Sequence, residues 1–232
     1  MKILVDFLKL HKEVFLTLDI LYVNKIPFFL NLSRKICFTA VNHLANRTVP
    51  QIFAAFKEIC QYYLHCKFRI TTVHSDRECA PLQDLILSLP CGPIINLESS
   101  NEHVPGIKIK IRVLKKRCQE TQHGLPFQRI SKLLTIHSVF HTVKLINLFP
   151  TKGGISDTLS PKTIMSGEIL NYKKNLSLHI VQYCQVHEED APINSQNSIT
   201  KGNISLRPSG NLQGGFKFMA LNIGDKIFRS GC

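Results

Sequence analysis

Two aspartates stand where carboxylates are costly. Asp19 lies inside a long apolar run, residues 14–23, and Asp76 ends a second β-rich stretch, residues 70–76. Burying an uncompensated polar group costs on the order of 2–7 kcal/mol, and burying a charge costs more. A divalent cation is the usual compensation. Two strand-borne aspartates with a helix-length segment between them are what magnesium-dependent phosphoryl transfer requires. A second feature lies downstream. Lys108, Lys110, Arg112, Lys115, Lys116 and Arg117 form a basic run with no acid between 108 and 117. On a helix beside a phosphodiester site, such a run contacts phosphates; the competing reading is a solvated helix face.

Other chemically capable residues lead to plainer readings. His137 and His141 are spaced i, i+4, which can put two imidazoles on one metal. Ser138 stands where a metalloprotease motif has glutamate and no third ligand is evident, so both are read as packed or solvent-facing. His74 and Ser75 are neighbours on a strand and point to opposite faces, which excludes a triad. Glu188, Glu189 and Asp190 read as an exposed acidic turn. The 8 cysteines form no Cys-x-x-Cys pair, which argues against zinc ribbons and thioredoxin-like chemistry and fits buried thiols in a reducing compartment.

These residues need a core to hold them. The chain has 232 residues, 44% of them hydrophobic, which suits one core domain and a small appendage and excludes wholesale disorder. Its net charge of +13, spread over both halves, favours a polyanionic partner, nucleic acid before membrane. The N-terminal apolar residues are interrupted by Asp6 and Lys9, so no secretory signal is read. Residues 14–32 contain Asp19, Asn24, Lys25 and Pro27, so they are not read as a membrane span. The expectation is an intracellular chain of the cytoplasm or nucleus, not secreted.

Strands are predicted at 14–23, 28–32 and 36–41, spaced as an antiparallel meander. Pro50 opens a helix to about 64, with Ile52, Phe56, Ile59 and Tyr63 on its apolar face. The strand ending at Asp76, a short helix over 82–89 and a strand at 94–97 follow. Pro105 opens a second long helix with Ile107, Ile111, Leu114 and Cys118 as its stripe. A third runs over 128–148 with Leu133, Ile136, Phe140 and Val143 inward, stopped by Pro150 and Gly153-Gly154. Residues 150–175 read as loop. A strand over 178–186 and short strands at 203–206 and 215–221 read as a small β-rich module. The predicted domains are 14–150 and 175–228. Three strands, helix, strand, helix, strand and helices is the order of an α/β, RNase H-like mixed sheet flanked by helices, with the small β-rich module C-terminal to it.

The chain resembles the integrase catalytic core of copia-type retrotransposon polyproteins, part of the DDE strand-transferase superfamily. The resemblance covers about residues 14–150 and is weaker beyond. It is carried by Leu18-Asp19-Ile20-Leu21, by Val73-His74-Ser75-Asp76-Arg77-Glu78, and by Asn101-Glu102-His103-Val104-Pro105 leading into the basic helix. Further matches are Tyr183-Cys184-Gln185-Val186-His187-Glu188 and Gly210-Asn211-Leu212-Gln213-Gly214-Gly215. It implies DNA integration by strand transfer, with two Mg²⁺ or Mn²⁺ ions held by three carboxylates. It also implies a DNA or RNA backbone as partner and members that oligomerise. Asp19 and Asp76 match the first two carboxylates.

The third carboxylate does not match. Where the family has glutamate just inside the helix, followed by arginine, this chain has Lys108 and Ile109; Cys79 replaces an aromatic residue after the second aspartate. An ammonium at that place repels a cation: like unit charges 4 Å apart at an effective dielectric of about 20 repel by roughly 4 kcal/mol, and a divalent ion doubles that. Lys108 can instead neutralise the acids. It lies about 100° from Ile107 on a helix, at the edge of the buried stripe, which puts it on the rim with both aspartates. Glu102 precedes Pro105 and reads as loop, and Glu78 cannot reach from the helix, so neither is expected to rescue the site. The family's upstream His/Cys zinc segment is represented only by His11. The expectation is an excised, decayed, catalytically dead integrase core with residual, weak metal affinity at Asp19 and Asp76. The alternatives are a non-catalytic nucleic-acid-binding module or a relic with no selected function.

Overall fold

In a computed structural model of the chain, the residues described are 10–89, 92–97, 105–125, 129–187, 200–209, 215–221 and 227–230. Strands β1 (Glu13–Val23) and β2 (Ile26–Ser33) form a hairpin closed by two residues, Asn24 and Lys25, at φ 48° and 65°. Positive φ at both central positions is the turn whose twist matches the strands it joins. The third strand, β3 (Thr39–His43), starts later than the apolar pattern of 36–41 predicts. Ile36 and Phe38 are buried, but in a turn: Cys37 takes φ 59°, and the Phe38 N–H donates to Ser33 Oγ at 3.0 Å. Burial without extended backbone produced the strand-like pattern.

Helix α1 (Val49–His65) has Pro50 in its first turn and buries Ile52, Ala55, Phe56, Ile59 and Tyr63, the face its spacing predicts. β4 (Arg69–Ser75) follows. The helix predicted over 82–89 is a 3-10 turn, Arg77–Leu82, running into the short α2 (Gln83–Leu87); Pro81 lies within the turn. β5 (Ile94–Leu97) completes a five-stranded sheet of order β3-β2-β1-β4-β5. β1 pairs antiparallel with β2, and β2 with β3, whereas β1–β4 and β4–β5 are parallel. This is the RNase H-like order expected from the element sequence. The main core combines Leu16 and Leu18 of β1, Val73 of β4, and Phe56 and Tyr63 of α1.

Helix α3 (Pro105–His123) begins where Pro105 predicts, and α4 (Lys132–Leu148) ends where predicted. Only Val143 of the predicted α4 stripe is buried; Leu133, Ile136 and Phe140 are half-buried, while Leu134, His137, Val139 and His141 are buried. A helix buried on several sides leaves no single stripe to read. Residues 150–175, read as loop, contain α5 (Pro161–Ser166) and α6 (Tyr172–Asn175). Ser160 caps α5 by accepting from the Thr163 N–H at 3.1 Å, and Gly167 ends it at φ 75°. Ile164 and Met165 join the main core.

Two compact units divide the chain. The first comprises 1–117 and 142–169, the second 118–141 and 170–232. The second holds an antiparallel sheet of order β6-β7-β8-β9, formed by Tyr183–His187, Thr200–Pro208, Phe216–Ala220 and Ile227–Ser230. β6 starts later than the predicted 178–186 because Val181 takes φ 64°. Leu206 and Met219 pack with Leu134, and Phe216 and Phe218 pack with Val186. Among the described residues no helix is long and apolar enough to cross a membrane.

Candidate acid rim and basic helix

The parallel pairing of β1 with β4 places Leu18 opposite Ser75. Asp19 and Asp76 are the next residue on each chain. Residues in register on parallel strands project to the same side, so the two carboxylates share one face at the C-terminal end of β4 although 57 positions separate them in the sequence. Leu18 and Ser75, projecting the other way, are buried. Asp76 is the last extended residue before the 3-10 turn. The aspartates themselves are half-buried.

The electrostatics of Asp19 identify its neighbours. Burial first, then the charge of Asp76, and lastly Glu78 hold its carboxyl above the ordinary range; the Ile20 backbone N–H and Lys108 pull it down. Lys108 is therefore on the acid rim. Its half-buried place on α3, between buried Ile107 and exposed Ile109, is the stripe edge that helix geometry predicts. Cys79 is buried beside the same acids: burial pushes its thiol up, and Glu78, Asp19 and Asp76 add to the rise.

The six basic residues of α3 do not form one face. Lys108 belongs to the rim. Lys110 is half-buried against Cys37; burial pushes its ammonium down, and the Cys37 thiol, itself pushed up by burial, works against that. Arg112, Lys115, Lys116 and Arg117 are exposed. Lys108, Arg112 and Lys115 follow i, i+4, i+7, so an exposed basic stripe continues from the rim, reaching Lys116 about 12 Å along the helix axis at 1.5 Å per residue.

Glu102 lies outside the described residues. Glu78, the other acid near Asp19, is ion-paired: Arg47 Nη2 donates to its Oε2 at 2.5 Å. The groups at the rim, among the described residues, are thus two aspartates, with Glu78 near them in its pair with Arg47, and a lysine whose charge acts against theirs. Among the described residues no group of three or more His, Cys, Asp or Glu side chains is placed to hold a metal ion. This donor set of the described residues does not fit a two-cation centre, which needs both ions clamped at once.

Arg47 was not singled out by sequence. It belongs to the segment between β3 and α1, and its guanidinium lies 5.6 Å from the Tyr22 ring centroid. The legible signal was topological: a third antiparallel strand returns the chain to the sheet end where Asp76 lies. His137 and His141 are buried in the second unit, and Arg207 Nε donates to His137 Nδ1 at 3.2 Å. That nitrogen is occupied as an acceptor.

No family model matches the chain, and no curated protein matches it. Among solved structures it is similar to the catalytic core domain of BIV integrase, at 14% identity and a TM-score of 0.47, over 65% of this chain and 92% of that one.

Proposed function

We propose that this chain is a degenerate integrase-type core, copia-like in its sequence motifs, that holds the backbone of DNA or RNA without joining strands. Lys108 supports this reading: its charge acts on Asp19, and by the family resemblance it stands where a two-metal site needs a carboxylate. A built-in ammonium offsets the paired aspartates and opposes Mg²⁺ or Mn²⁺, leaving residual, weak metal affinity at Asp19 and Asp76. Nucleic acid is held by the three exposed residues of the stripe, Arg112, Lys115 and Lys116. This binding depends on charge rather than base sequence.

Joining of DNA ends in Mn²⁺ and duplex binding at several salt concentrations test the reading. The wild type joins nothing, and Lys108→Glu strengthens Mn²⁺ binding, followed by electron paramagnetic resonance, by at least about tenfold given the repulsion it removes. Three phosphate contacts weaken duplex binding roughly 40-fold between 50 and 200 mM salt, at a slope of about −0.9 per phosphate. Wild-type joining that Asp76→Asn abolishes would sink the inactive reading. Binding that stays flat with salt would sink the nucleic-acid one.

A further inference from the structure

Arg47 joins three segments beside the acid rim, to which Glu78 links it. It precedes Thr48, the N-cap of α1; its guanidinium lies over Tyr22, three residues beyond Asp19 on β1; and it donates to Glu78, two residues beyond Asp76. The segment bearing it is internally bonded. Asn46 Oδ1 accepts from Thr48 Oγ1 at 2.7 Å, and the Asn46 N–H donates to Gln51 Oε1 at 3.0 Å. The guanidinium is therefore carried on an ordered backbone with an aromatic ring beside it, which reduces the entropy lost when it binds an anion.

The ion pair does not account for this preparation as a stabilising device. The Arg47 and Glu78 side chains are 45% and 60% exposed. Exposed pairs contribute roughly 0–1 kcal/mol, because water screens them and two long side chains must be held in one geometry. An incoming oxyanion can reach the guanidinium and exchange for the carboxylate at little cost. The fork that takes a carboxylate also takes a phosphate, with the same planar donors.

We propose that Arg47 is a phosphate-binding residue of this rim, held in reserve by Glu78, whose carboxylate occupies the guanidinium until a nucleic-acid phosphate displaces it. This rests on the nucleic-acid reading and deepens it. The α3 stripe binds on charge alone, whereas Arg47 adds one oriented contact beside Glu78, two residues beyond Asp76. Glu78 tunes how readily that contact forms.

The test is binding of a short DNA duplex, followed by fluorescence anisotropy from 50 to 200 mM salt. It compares the wild type, Glu78→Gln, Arg47→Gln, the double variant, and Glu13→Gln as a control for losing one exposed acid at the opposite end of β1. Glu78→Gln tightens binding at 50 mM salt about three- to tenfold and steepens the salt slope by about 0.9, the increment for one phosphate. Glu13→Gln gives no more than the general effect of one charge, and Arg47→Gln cancels the gain in the double variant. Arg47→Lys, which keeps the charge and loses the fork, recovers only part of it. Glu78→Gln no tighter than Glu13→Gln, or a gain that survives Arg47→Gln, overturns the assignment while leaving the α3 stripe standing. If neither the wild type nor Glu78→Gln binds, both readings fall.

Discussion

Asp19 in the first unit and His137 in the second are titratable groups set among charged neighbours, the one half-buried and the other buried. They differ in the signs that surround them. Asp19 has charged neighbours of both signs, the acids Asp76 and Glu78 and the cation Lys108. His137 has cations only: burial, then Arg207, then Lys217 push its imidazole down to about 4. Arg207 also lies 4.7 Å from the Phe140 ring centroid, so its guanidinium is held by a ring as well as by Nδ1. A group among mixed signs can exchange partners and is suited to be part of a site. A group among like signs is fixed in its neutral form and serves as a brace. His137, with cations beside it and Nδ1 already accepting from Arg207, is such a brace, whereas two carboxylates far apart in sequence form the rim.

Acidification should produce the largest effect. The folded His137 sits at about 4, below its ordinary value, so its contribution to stability is present above about pH 6.5 and is lost as pH falls through 4. The loss is on the order of 3 kcal/mol at most. Urea unfolding of the full chain at a series of pH values should show it, and His137→Gln should flatten the slope between 6.5 and 4. A slope unchanged in that variant would break the contrast between site and brace. Arg207→Met comes next. Losing the hydrogen bond and the ring contact costs about 1–2 kcal/mol, and the His137 imidazole then titrates closer to the ordinary histidine range in an NMR titration. The smallest effect has the opposite sign. Because the Asp19 carboxyl is raised, its ionisation works against the fold. Its stabilising contribution is full below the ordinary carboxylate range and is lost as pH rises through the higher folded value. Asp19→Asn should therefore be more stable than wild type at neutral pH, by less than either change at the His137 brace, with the gap closing on acidification. A variant less stable at neutral pH would mean that Lys108 outweighs burial and Asp76.

Much of the rim was legible because its residues conflict with their surroundings. A charge in an apolar run marks Asp19, and the 100° step from Ile107 locates Lys108. Strand order was legible from element order. What the pattern could not supply was backbone geometry that breaks periodicity. Cys37 and Val181 take left-handed angles inside apolar stretches, which displaces β3 and β6 from their predicted starts. Nor could it separate the basic run of α3 into faces, because whether Lys110 meets Cys37 or solvent depends on a turn 73 positions earlier in the sequence. Arg47 was not singled out for a related reason: strand order signals only that the chain returns to that sheet end, and the three segments it joins meet once the sheet forms.

β3 is an edge of the large sheet, and an edge strand offers unpaired backbone groups to any neighbouring chain. Asn147 meets two of them. Its Oδ1 accepts from the Thr39 N–H at 2.9 Å, and its Nδ2 donates to the Thr39 carbonyl at 2.6 Å. A carboxamide presents the same donor and acceptor as a peptide group, so this one side chain stands in for a residue of a sixth strand. It occupies the first register position that a foreign strand would need at that margin. The sheet is sealed there by a plug one residue long rather than by another strand, and at Thr39 self-association through this edge is blocked at its starting point.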